Sequence, residues 1–132
     1  MRRFGPPPSA DEIEAIARAA LQALPGPFAD SIGDIVLQVE EFADDATLDN
    51  LGIEDPFELS GLYEGVPLTE RSVDQSGMLP ERVRLFRRSI LDEWATRDET
   101  LERLVAHVLI HEIGHHFGLS DADMHALEDS AA

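Results

Sequence analysis

His111, Glu112 and His115 stand at the head of the segment HEIGHHFGLSD, near the end of a chain of 132 residues. On an α-helix, histidines four apart occupy adjacent turns, so their ring nitrogens can converge on one metal ion. The glutamate one step around can then reach a water bound to that ion without ligating it. Metal-assisted hydrolysis needs those three groups at that spacing. Gly118 suits the left-handed conformation that ends a helix, and Asp121 follows where a chain turning back would present a third ligand. The plainer reading of the same residues is a helix end, with Gly118 as the stop and Ser120 or Asp121 capping a short terminal helix.

The element that must carry this set is a long helix running from about Glu99 to Phe117, with Asp98 as its cap. At 100° per residue His107, His111 and His115 share an arc of about 80°. Leu101, Leu104, Val105 and Val108 border that arc, while Leu109, Ile113 and Phe117 lie opposite. A helix apolar over most of its circumference is a buried one, and a row of imidazoles on it is costly unless something satisfies them.

Upstream, MRRFGPPP reads as a flexible leader over residues 1–8, and residues 9–132 read as one domain. Ser9 and Glu12 form a capping signature ahead of Ile13, Ile16, Ala17, Ala20, Leu21 and Leu24, an amphipathic helix stopped by Pro25 and Gly26. DIVLQVEEF alternates Ile35, Leu37 and Val39 against Asp34, Val36, Gln38 and Glu40, as a strand with one buried face does. The acidic stretch 43–57 lacks periodicity and reads as a loop around a helical turn. ELSGLYEGVPLTERSV has an extended centre at Leu62, Tyr63 and Val66, and its glycines and Pro67 suit an edge strand. ERVRLFRRSILDEW, after a turn at Gly77 to Pro80, reads as a stronger strand. The order helix, strand, strand, strand, long helix, short helix gives an α+β class.

Composition removes several chemistries. Cysteine is absent, so a transition metal must be held by nitrogen and oxygen. Lysine is absent as well, which excludes Schiff-base catalysis and a phosphate-loop lysine. The net charge of −17 disfavours nucleic acid and anionic membrane surfaces as partners. Arg82, Arg84, Arg87 and Arg88 are the one basic cluster, and abundant carboxylates are their expected partners. No membrane-length apolar run or signal-peptide core is visible, so a cytoplasmic location is expected.

HEIGHHFGLSD, with GLYEGVPLTERSV and LPERVRLFRRSI ahead of it, resembles the minimal zincin-like metallopeptidases, small bacterial proteins, over residues 10 to 128. The resemblance implies a pared-down zincin fold: a small mixed β-sheet packed on an N-terminal helix and an active-site helix, with a short C-terminal helix. It implies zinc (Zn2+) held by His111, His115 and Asp121, with Glu112 as the catalytic base, and a peptide or protein as substrate. The wider metzincin pattern has histidine where this chain has Asp121. A glutamate from a downstream helix completes another zincin subclass, which makes Glu128 the runner-up for the third ligand.

Candidates for stabilising an oxyanion are Tyr63, His107, His116 and His125. Each also has a structural reading: His107 and His116 as packed or hydrogen-bonded helix residues, Tyr63 as a packed strand aromatic, and His125 as a surface residue. A metal-dependent ribonuclease lacks the glutamate after the first histidine and is opposed by the charge. A non-catalytic binding module that keeps the fold and holds zinc without cleaving is the alternative function.

Overall fold

A computed structural model describes residues 5–25, 35–65 and 81–131, positions 115–117, 130 and 131 by their backbone. Helix α1 (Ala10–Gln22) starts at the expected capping box, in which the Ser9 hydroxyl accepts from the Glu12 amide and the Glu12 carboxylate accepts from the Ser9 amide. Ile13, Ala17 and Ala20 form its buried stripe. Strand β1 (Val36–Glu40) buries Leu37, with Ile35 and Val39 packed alongside, which is the alternation the sequence shows.

The acidic stretch is more ordered than the sequence suggests. Helix α2 (Asp45–Leu51) ends at Gly52, whose φ of 70° is left-handed, and a short 3-10 turn follows at Pro56–Glu58. Leu48 supplies the reason, because it inserts beside Ala43 and Phe86 in a small second core.

Strand β2 (Gly61–Glu64) and strand β3 (Arg82–Phe86) complete a mixed sheet of order β1-β3-β2. β1 runs parallel to β3 and β2 antiparallel to it, Gly61 facing Leu85 and Tyr63 facing Val83. Among the described residues β2 is therefore an edge strand; Val66 and the turn at Gly77 to Pro80 lie outside them.

ERVRLFRRSILDEW is not strand throughout. It is strand to Phe86 and then helix α3 (Arg87–Ala95), with Phe86 as the N-cap residue. Phe86, Ile90 and Trp94 are four apart, a helical spacing masked by the β-rich residues before them. Contacts from distant segments set the switch. Arg87 Nε donates to the Pro8 carbonyl at 2.7 Å, and the buried Ser89 hydroxyl donates to the Pro56 carbonyl at 2.9 Å.

Helix α4 (Leu101–Phe117) begins two residues later than expected. Thr100, rather than Asp98, caps it by accepting from the Arg103 amide. Its end is as expected, with Gly118 left-handed at φ 65°. Helix α5 (Asp121–Ala131) follows at once; Ser120 caps it by accepting from the Asp123 amide at 3.2 Å. The main core joins α1, α4 and α5 to one face of the sheet through Ile13, Leu37, Val83, Leu85, Leu104 and Leu127, among others. No helix among the described residues is long and apolar enough to cross a membrane.

Candidate metal centre

Helix α4 is held in the core by Leu104, Val105, Leu109, Ile110 and Ile113, all nearly inaccessible. Its remaining face carries His107, His111 and Glu112, each half-buried. The His107 and His111 rings lie 4.4 Å apart, inclined at 51°.

Two glycines let neighbours approach this face. A Cβ on Gly61 would sit 2.7 Å from Val108 Cγ1 and 3.4 Å from Glu112 Cγ, so the start of β2 lies directly against the stem of Glu112. A Cβ on Gly114 would collide with the Met124 side chain. Its absence lets α5 pack closely on α4. One turn past Met124 that packing delivers Glu128, a glutamate within the buried stripe of α5.

Glu128 Oε1 meets both histidines, at 2.6 Å from His107 Nδ1 and 3.9 Å from His111 Nε2. Its second oxygen lies 3.5 Å from Nδ1 of the exposed His125. Oε1 is buried, yet among the described residues no aligned hydrogen bond reaches it, the short His107 contact included. The ligand atoms of His107, His111 and Glu128 all lie within 4.8 Å of one another.

His107, Val108, His111 and Glu112 floor a cleft of about 270 Å3, walled by Gly61 of β2 and Ser60 just before it, by Glu93 of α3 and by Arg97 just after that helix. Ser60 donates to Glu93 at 3.0 Å, and Arg97 pairs with Glu93 at 3.3 Å. A larger hollow of about 370 Å3 between α1 and β1 presents Asp11, Glu14 and Glu40 but no histidine.

His111 and Glu112 thus share the cleft. The backbone of His115 lies one turn further along α4, and its side chain, like that of His116, is outside what the structure describes. Asp121 is exposed at the first position of α5 and is not part of the converging group. Tyr63 packs against the main core, as a strand aromatic does, and His125 is exposed. Among the described residues the converging group contains His107 and Glu128 beside His111. Their signals in the sequence were a histidine four before His111 and a carboxylate in the apolar stripe of the last helix.

The chain is α+β, and its buried helix sets two imidazoles opposite a buried carboxylate, a group that could hold a metal ion. The particular family follows from comparison: residues 32–131 match the family model of the zincin-like metallopeptidases, and the chain belongs to that family. No curated protein matches the chain. The family implies a metal, typically zinc. The residues present fit such an ion, since a buried carboxylate oxygen without an aligned donor and two imidazole nitrogens make a sulfur-free donor set of the kind zinc accepts.

Proposed function

We propose that this chain is a zinc-dependent peptidase that hydrolyses peptide bonds with a metal-activated water. The observation that supports the reading most is the shared cleft: His111 and Glu112, adjacent in the motif, open onto one hollow beside the edge strand β2. His111 and His115 would hold the ion, with Asp121 as the third ligand that the motif assigns. Bound zinc supplies Lewis-acid activation of a water and of the scissile carbonyl.

Everything else falls to the protein. Glu112 accepts the proton of the attacking water and delivers it to the departing amine. Contact with Gly61 limits the freedom of its stem and keeps the carboxylate near the substrate path. The outer edge of β2 offers backbone groups to an extended peptide, which would lie along the cleft as an added strand. The net charge of −17 favours cationic peptides through long-range attraction.

The test compares wild type with Glu112→Gln in metal analysis and a peptide-library digest. The variant should keep its zinc and lose cleavage by about 100-fold or more, because glutamine preserves the shape and removes the base. Undiminished cleavage by Glu112→Gln would remove Glu112 from the mechanism. The small cleft favours a second reading, a module that holds zinc without cleaving. Zinc binding with no cleavage by the wild type would support that one.

A further inference from the structure

We propose that His107, His111 and Glu128 form a second position for a divalent transition-metal ion, one helical turn before the His111–His115 pair and sharing His111 with it. The inference does not depend on whether the chain cleaves peptides. It concerns a ligand set that the HExxH spacing does not contain, since neither His107 nor Glu128 belongs to that motif.

Three observations carry it. The first is geometric. Two ligands about 2.05 Å from a tetrahedral zinc ion are separated by about 3.3 Å. The two Glu128 contacts, 2.6 Å to His107 and 3.9 Å to His111, fall on either side of that separation. All three donor atoms lie within 4.8 Å of one another, so changes of up to about 1.5 Å in their separations would bring them onto one ion.

The second is the state of Glu128. The residue is 9% exposed, and among the described residues its Oε1 lacks an aligned donor. A plain His–Glu pair would turn the Nδ1 proton of His107 onto that oxygen, as such pairs do when nothing else claims them. Here Nδ1 is close without being aligned. That leaves an acceptor lone pair of Oε1 open to a cation.

The third is chemical. Two neutral imidazoles and one carboxylate form a donor set that takes Zn2+ or Co2+ in preference to Ca2+ or Mg2+, which favour oxygen ligands. The close packing of α5 on Gly114 holds the carboxylate over the histidines, so the set is assembled by helices rather than by loops.

Because His111 presents Nε2 to this group, an ion bound here withdraws that nitrogen from the motif position. The two positions are therefore alternatives, about 6 Å apart along the helix. The experiment removes the motif position and asks whether metal stays. Full-length His115→Ala is titrated with Co2+, followed by visible absorption and calorimetry, with circular dichroism recording the fold.

About one Co2+ per chain is expected, with the intense absorption of a low-coordinate site. Adding Glu128→Gln or His107→Gln to His115→Ala should each weaken binding by at least about tenfold. Should one double variant fail to fold, the other decides. The proposal is overturned if folded His115→Ala binds no Co2+, or if the folded double variants bind it as tightly as His115→Ala. Loss of Glu112-dependent cleavage would bear on the peptidase reading alone, because none of these titrations measures turnover.

Discussion

Arg84 and Glu128 are both charged side chains exposed by less than a tenth, at 6% and 9%, and their surroundings are built in opposite ways. Arg84, at the centre of β3, donates to Glu40 at 2.8 and 3.0 Å, to Asp44 at 2.9 Å, to Glu64 at 2.9 Å and to the Thr47 hydroxyl at 3.1 Å. Its guanidinium carbon also stands 5.3 Å from the Phe86 ring. One buried cation thus ties β1, α2 and β2 to the middle strand with aligned bonds. Glu128 has close neighbours of suitable type, yet among the described residues its inner oxygen receives no aligned bond. A saturated buried charge holds a fold together, whereas an unsaturated one is a reason to look for a ligand.

The largest effect expected of this contrast is on stability. Arg84→Met leaves Glu40, Asp44 and Glu64 turned toward an apolar spot without a cation, and should cost about 2–4 kcal/mol in urea unfolding. The lower end applies because the carboxylates are partly exposed. A loss below about 1 kcal/mol would put Arg84 among ordinary surface pairs and end the comparison.

Gly114→Ala should come next, because its methyl group meets Met124 and must push α5 away from α4. A cost of about 1–3 kcal/mol is expected, together with weaker Co2+ binding in the His115→Ala background. Met124→Ala should restore part of both. Restored stability without restored binding would separate packing from ligand placement.

Glu128→Gln is the counterpart of the arginine change and should behave in the opposite way. Without metal, its unfolding free energy should stay within about 1 kcal/mol of wild type or rise, since the substitution removes a poorly satisfied buried charge. A loss as large as that of Arg84→Met would show that Glu128 is a structural ion pair after all.

The smallest effect is a pH dependence. The Thr47 hydroxyl and the Arg84 guanidinium hold the Asp44 carboxyl down from 3.8 to about 2. Burial alone would raise Glu64, but Arg82 and Arg84 outweigh it and keep this carboxyl below its usual 4.5. Arg84 is itself pushed upward, chiefly by its bonds to Glu40, and stays charged throughout. A carboxyl with a depressed folded-state value adds stability above its unfolded value and loses it as pH falls through the folded one. The urea midpoint should therefore decline from about pH 4.5 to about pH 2, and Arg84→Met should flatten that decline. An unchanged acid slope in the variant would detach these carboxyls from Arg84.

Local signals in the sequence were reliable where a single element contains its own cause. The Ser9–Glu12 box starts α1, the alternation of Ile35, Leu37 and Val39 makes β1 one-sided, and Gly118 ends α4 in the left-handed conformation. They failed where the cause lies elsewhere in the chain. The acidic stretch became α2 because Leu48 found Phe86 and Arg84 found Asp44, partners 38 and 40 residues away. The change from strand to helix at Phe86 depends on Pro8 and Pro56.

The same division runs through the site. The sequence alone determined that His107, His111 and Glu112 lie close together on one helix, because separation along a helix depends only on rise and rotation per residue. It also determined that nitrogen and oxygen must supply any ligands, since the chain has no cysteine. Which carboxylate meets those histidines was settled by tertiary structure. Asp121 is nearer in sequence but faces solvent at the start of α5, while Glu128, two turns on, is turned inward by the packing of Met124 on Gly114. The physical reason is that the approach of one helix to another is set by side-chain volume at their crossing, a property of the pair that neither segment carries by itself.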